Sequence, residues 1–242
     1  MRRAVFGVLL STALWTAGCS SSLTTEPSVT TSSDSATTKA PAGTIVAQEG
    51  NALVRLVNAD PGSKGIDISW GDKNFFSDAA YKSITAYKEA PRGVAMFKLR
   101  VAGSPDNVSG DHQELLPGRH YTLIALPKEK GGARLSILND NLGTLDPGIT
   151  RVRLINATAN VDDLDLFSEG TKNHILHGVD AGTKAVMSYA DMEGGTVEIR
   201  SPNRPSPTLV GKFKVEANCL HTFIVIGAGT SLDVIQIVDR IQ

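Results

Sequence analysis

The chain has 242 residues, of which 41% are hydrophobic and 20% charged, with a formal net charge of -1. These values are ordinary for a globular protein with room for two cores of about 100 residues each. Acidic and basic residues are interspersed rather than clustered, which excludes the positive surface that nucleic acid requires.

At the N-terminus Arg2 and Arg3 precede an apolar run from Ala4 to Leu14, followed by Thr16-Ala17-Gly18 and then Cys19. A run this short falls below the roughly 20 residues of a membrane-spanning helix and reads as the h-region of a bacterial export signal over residues 1–18. Ala17-Gly18-Cys19 resembles the lipobox of bacterial lipoproteins, with Thr16 where a Leu is usual. The resemblance implies that Cys19 is the lipid attachment site, acylated with fatty chains such as palmitate. Two or three such chains hold a protein on a membrane, since each buried CH₂ contributes ~0.8 kcal/mol. With Cys19 acylated, Cys219 has no intramolecular partner. Its apolar neighbours Phe223, Val225 and Ile226 mark it as a small buried hydrophobe.

Residues 19–48 are rich in Ser, Thr, Ala and Pro without apolar periodicity, the composition of a disordered tether. As a flexible coil it spans ~30 Å. The expected address is the bacterial cell envelope, lipid-anchored, and the outer membrane if the cell is Gram-negative.

From residue 49 the chain repeats itself. Val54-Arg55-Leu56-Val57-Asn58-Ala59 returns as Val152-Arg153-Leu154-Ile155-Asn156-Ala157. Ile66-Asp67-Ile68 answers Leu164-Asp165-Leu166, Phe97–Arg100 answers Val197–Arg200, Tyr121–Ile124 answers His221–Ile224, and the run ending at Asp140 answers the one ending at Asp239. Short runs of β-branched and aromatic residues, separated by Gly and Pro, predict about seven antiparallel strands per copy. The fold class expected is all-β: two tandem immunoglobulin-like β-sandwiches, residues 49–143 and 144–242. Ile66, Ile68 and Trp70 alternate with Asp67 and Ser69, placing the apolar side chains in the core and the polar ones on a solvated face. Asp165 inherits that solvated position. The short connection around Asn141–Gly148 restricts the relative orientation of the two copies.

Chemistry-bearing motifs are sparse. Gly227-Ala228-Gly229 lacks the third glycine of a dinucleotide fingerprint and reads as a hairpin turn. His174 and His177, with Asp180 nearby, are the best metal candidates, but three-residue spacing on an extended strand sends the two imidazoles to opposite faces. Asp162 and Asp163 are loop carboxylates of a type that calcium uses. The expectation is no metal, no cofactor and no catalytic residue. Phe75 and Phe76 follow a hairpin-like Gly71-Asp72-Lys73-Asn74, and adjacent residues of a strand cannot both point inward, so this pair is a candidate contact surface.

The phrases Val54–Pro61, Tyr81–Tyr87, Pro91-Arg92-Gly93 and Tyr121-Thr122-Leu123 are similar to the bacterial family called domain of unknown function 4397. The similarity runs from about Ala52 to Arg240 and implies repeated β-sandwich units in exported or lipid-anchored envelope proteins. The second copy departs from the first at His221, where the first has Tyr121. A fainter similarity is to two-domain periplasmic proteins that assist O-acetylation of exported polysaccharides such as alginate. The resulting expectation is a non-enzymatic, lipid-anchored envelope protein acting as an interaction or structural module. The alternative is an accessory binding protein for polysaccharide synthesis or O-acetylation. Its partners would be the membrane, through the anchor, and an envelope protein or polysaccharide, with no nucleic acid.

Overall fold

The computed structural model describes residues 49–128, 130–181, 188–201 and 208–241. The expected signal segment, Cys19 and the tether lie outside them. Every element among the described residues is a strand. The first repeat contains β1 (Asn51–Asn58), β2 (Ile66–Trp70), β3 (Lys73–Ala79), β4 (Lys88–Pro91), β5 (Gly93–Val101), β6 (Asn107–Leu115), β7 (His120–Pro127) and β8 (Ala133–Asp140). The second contains β9 (Ile149–Thr158), β10 (Asp163–Ser168), β11 (His174–Asp180), β12 (Ser188–Glu193), β13 (Gly195–Ser201), β14 (Thr208–Val215), β15 (Cys219–Ala228) and β16 (Ser231–Arg240).

Each repeat is a sandwich of two four-stranded sheets, ordered β4-β1-β7-β8 over β3-β2-β5-β6 and β12-β9-β15-β16 over β11-β10-β13-β14. The all-β expectation therefore holds, with eight strands per repeat. Pairing is antiparallel except at the centre of the inner sheets, where β1 lies parallel to β7 and β9 to β15. Gly229-Thr230 links β15 to β16 as a two-residue hairpin, with Ala228 opposite Ser231.

The twice-written phrase forms β1 and β9, and both faces of these strands are buried. On one face Ala52, Val54 and Leu56 join Ile68, Phe97 and Leu123 in the core of the first sandwich, as Val152 and Leu154 join Leu166, Ile199 and Phe223 in the second. On the other face Val57 and Ala59 meet Ile155 and Ala157 in a third apolar layer, completed by Ile124, Leu126 and Leu138 from the first repeat and Ile224, Ile226, Ile235 and Ile237 from the second. Strands buried on both sides read as near-continuous apolar runs because neither side of the pleat meets water. The inner sheets of the two repeats thus pack on one another, and the four sheets stack as four layers around three cores. Burial of apolar area at roughly 25 cal/mol per Å² drives all three layers alike.

Each repeated asparagine ties the end of its strand to the backbone of the outer sheet's edge strand. Asn58 Nδ2 donates to the Ala79 carbonyl at 2.8 Å, and Asn156 Nδ2 donates to the Val161 and Val179 carbonyls, both at 3.0 Å. An amide suits this place because it supplies two donors and an acceptor to backbone groups that would otherwise be buried unpaired.

Candidate functional site

Two arginines are buried where the repeats meet. Arg55 is 1% exposed and Arg153 0%. Arg55, on the first repeat, forks onto Asp239 of the second, with Nη1 donating to Oδ1 at 2.8 Å and Nη2 to Oδ2 at 2.7 Å. Arg153, on the second repeat, donates from Nη2 to Oδ1 of Asp140 of the first at 2.7 Å. Each Nε donates to a threonine of its own repeat, Arg55 to Thr122 at 2.9 Å and Arg153 to Thr222 at 3.0 Å. Asp140 Oδ2 also accepts from Thr122 Oγ1 at 2.7 Å and from the Tyr87 hydroxyl at 2.9 Å. Tyr87 lies under the Arg55 guanidinium and Tyr189 under that of Arg153. Arginine, threonine, aspartate and tyrosine each occur at matched positions in both copies, so the fastening is reciprocal in the manner of a two-fold interface.

Ionisation follows from these contacts. Burial pushes the Asp140 carboxyl up, but Arg153 and Arg55 outweigh it and hold the group below its ordinary value. Burial opposes the charge on both guanidiniums, yet Asp140 foremost among their neighbours keeps them above theirs. Burial and then Asp140 raise the Tyr87 phenol well above its usual range, so it stays protonated and donates. A half-buried pair between Lys82 Nζ and Asp233 Oδ2, at 2.6 Å, adds a further link between the repeats.

A second polar cluster lies on the outer sheet of the second repeat. The alternation rule placed Asp67 and Asp165 in solvent; both are buried. The cause is a β-bulge. β3 and β11 shift register against β2 and β10, and the extra residue takes positive φ, 47° at Asp78 and 65° at Gly178. The N–H of that residue donates to the aspartate Oδ1 at 2.8 Å in each copy. The carboxylate stays on the outer side of its strand and is covered there, held by the backbone of the bulge.

A second register shift, between Leu166 and Phe167, overturns the expectation for the histidines. His174 and His177 share one side of β11, with ring centroids 4.6 Å apart. Asp165, rather than Asp180, faces them: His177 Nδ1 lies 2.9 Å from Oδ1 and His174 Nδ1 3.5 Å from Oδ2. Asp163 and Asp180 are direct register partners across β10 and β11, and the neighbouring Asp163 carboxylate raises the Asp180 carboxyl.

The aromatic pair after the first hairpin lies differently from the expected contact surface. Phe76 is 2% exposed and belongs to the core, while Phe75 is half-buried. The register shift between Ile68 and Ser69 lets both rings turn inward, where Phe75 meets Trp70 and Phe97 at centroid distances of 6.0 and 5.7 Å. Exposed apolar side chains occur instead two residues apart on the outer face of β5, at Val94 and Met96. Their position in an otherwise alternating strand is the signal that sequence reading passed over. A cleft of about 350 Å³ between the repeats is lined by Lys128, Lys130 and Arg134 from the first and Asn160 and Asp162 from the second. Cys219 is buried and its thiol is pushed up by burial, as a packing residue requires. His221 takes the structural place of Tyr121. The Tyr121 hydroxyl accepts from Leu116 N at 3.0 Å, and His221 Nε2 accepts from Glu216 N at 3.0 Å.

Residues 52–167 match the family model described as Domain of unknown function (DUF4397). The match covers the first repeat and continues to Phe167 at β10. No curated protein matches the sequence. Among solved structures, a Bacillus anthracis protein described as the TIE protein is similar at 15% identity and TM-score 0.24, over 74% of this chain and 33% of that one. This chain therefore spans about a third of that protein's length. A streptococcal virulence factor described for alpha-glucan binding aligns at 11% identity and TM-score 0.25, over 76% and 97% of the two chains. A Bacteroides uniformis protein described as a putative cell adhesion protein aligns at 8% identity and TM-score 0.24, over 80% and 98%.

Proposed function

We propose that this protein is a non-enzymatic, lipid-anchored module of the bacterial cell envelope that presents a rigid pair of sandwiches to a partner. The observation that carries the reading is the reciprocal Arg55–Asp239 and Arg153–Asp140 fastening over a shared apolar layer. It joins the repeats through their inner sheets and leaves the outer faces, with Val94 and Met96, for contact. Pre-organised surfaces bind with less ordering cost than jointed ones. Cys19 would supply the anchor.

Fractionation with mass spectrometry tests the anchor. The wild-type chain is expected in membranes with an acylated Cys19, and Cys19→Ala in the soluble fraction; unchanged partitioning refutes it. Cross-linking in envelopes followed by pull-down tests the module, and recovery of nothing above a bait-free control counts against it.

The cleft with Lys128, Lys130 and Arg134 supports a second reading, an accessory binder of an exported polysaccharide. Three cations and two amides, Asn156 and Asn160, against one carboxylate, Asp162, leave the groove net positive and suit an acidic, hydroxyl-rich chain. Retarded migration in gels containing acidic polysaccharide is the expected result; unaltered migration removes this reading.

A further inference from the structure

We propose that Asp165, His174 and His177 form a site for one divalent first-row transition metal, zinc in the first instance. This goes beyond the module reading and is independent of it.

The ligand set is the starting point. Two imidazoles and a carboxylate suit zinc and its neighbours in the first row. Their donor atoms all lie within 4.8 Å of one another. With metal–ligand bonds of about 2.0–2.2 Å, neighbouring donors are roughly 3.0 Å apart around an octahedral ion and about 3.5 Å apart around a tetrahedral one. The two carboxylate–imidazole separations here, 2.9 Å from His177 to Oδ1 and 3.5 Å from His174 to Oδ2, are close to that range, and each imidazole faces one of the two carboxylate oxygens. The Gly178 N–H holds Asp165 Oδ1 from behind at 2.8 Å, as an outer hydrogen bond orients a ligating carboxylate. His177 is well exposed, so the ion has a path in, and coordination positions remain for water or for a donor from a partner.

The first repeat is an internal control for why this arrangement is not simply what the bulge requires. There the equivalent carboxylate, Asp67, is neutralised by Arg100 at 3.0 Å, and the positions of His174 and His177 hold Asn74 and Ser77, which hydrogen-bond to each other at 2.9 Å. In the second repeat the equivalent arginine, Arg200, is paired with Glu198 instead. Glu198 stands where the first repeat has Lys98, and Phe167, where the first has Ser69, carries the Arg200 guanidinium over its ring at 4.3 Å. Lys212 secures Glu198 from the other side at 2.8 Å. Substitutions at several positions therefore move the arginine off Asp165 and put two metal-ligating side chains in its place. A buried carboxylate needs a cation, and the second repeat offers it a pair of imidazoles with room for a metal.

The test uses the full chain, untagged and freed of metal with a chelator. Co²⁺ is titrated in while visible absorption is followed, and Zn²⁺ binding is measured by calorimetry. The wild type should bind one ion per chain with ligand-field bands of a nitrogen–oxygen site. His177→Ala, an exposed position that leaves the fold intact, and His174→Ala should each weaken binding by about 100-fold or more, beyond the loss typical of outer hydrogen-bond partners. Metal should raise the melting temperature of the wild type but not of His177→Ala. Failure of the wild type to bind stoichiometrically, or binding that survives both histidine substitutions, overturns the proposal.

Discussion

Replacing Asp140 by alanine removes the acceptor shared by Arg153, Thr122 and Tyr87, whose bonds to it are 2.7, 2.7 and 2.9 Å. Both side chains of the Arg153–Asp140 pair are 0% exposed. Water cannot replace the lost carboxylate, and the guanidinium is left as a buried charge without its counter-ion. Breaking one partner of such a pair costs about 3–5 kcal/mol. For a folded body of this size, at roughly 2–4 °C per kcal/mol, the melting temperature should fall by about 6–20 °C. The assay is thermal denaturation at neutral pH beside Asp191→Ala, which breaks the Arg151–Asp191 pair whose aspartate is 44% exposed. Exposed pairs contribute about 1 kcal/mol or less. Replacing both members together, as Arg153→Met with Asp140→Leu, should recover part of the loss, because no unpaired charge remains while the Tyr87 hydroxyl still lacks its acceptor. The acid limb changes as well. The Asp140 carboxyl sits below its unfolded value near 3.8, so its contribution is complete above that value and drains away as pH falls through the lower folded one. Asp140→Ala should lack that part of the acid transition. A shift no larger than that of Asp191→Ala would refute the reasoning.

Three further outcomes follow from local geometry. Burial lowers the pKa of His221 from 6.5, so as pH falls from that value to the lower folded one, the unfolded chain takes up a proton that the folded chain does not, and stability falls. His221→Tyr, which copies Tyr121, should flatten this dependence when melting temperatures are compared at pH ~7.5 and ~5.5; an unaltered slope would contradict it. Gly227 has φ of 104°, and an added Cβ would lie 2.2 Å from the Ser231 carbonyl oxygen, so Gly227→Ala should cost at least about 1–3 kcal/mol in denaturant unfolding, and a wild-type midpoint would contradict the hairpin strain. Ile68 is fully buried, and Ile68→Asp should destabilise the whole body, lowering one shared transition for both repeats; a native-like melt would contradict the burial.

Duplication was legible because β1 and β9 serve two buried faces each and tolerate little change, whereas loops diverged. Alternation located Ile66, Ile68 and Trp70 correctly on the core side. It misled at Asp67 and Asp165, since period-two reasoning equates the outer side of a strand with solvent, and the bulges at Asp78 and Gly178 on the neighbouring strands turn backbone N–H groups onto those carboxylates and cover them. A second register shift in each pair, between Ile68 and Ser69 and between Leu166 and Phe167, leaves Phe75 and Ile175 as extra residues and explains why Phe75 and Phe76 both turn inward and why His174 and His177 share a side. Arg55 and Arg153 interrupt apolar runs as solvent-facing residues would, because sequence does not display the opposing sheet. A signal was nonetheless present. Arginine, threonine and aspartate recur in both copies at Arg55 and Arg153, Thr122 and Thr222, and Asp140 and Asp239, while a neighbouring position changed from Tyr121 to His221. Polar residues retained across diverged copies mark contacts both copies need, within each repeat for Asn58 and Asn156 and between the repeats for these arginines and aspartates.

The central claim is that a shared apolar layer and swapped ion pairs make the two sandwiches one cooperative body. Scanning calorimetry of the chain tests it most directly. The account predicts a single transition whose calorimetric and van't Hoff enthalpies agree. Two separated transitions, only one of them displaced by Ile68→Asp, would contradict it.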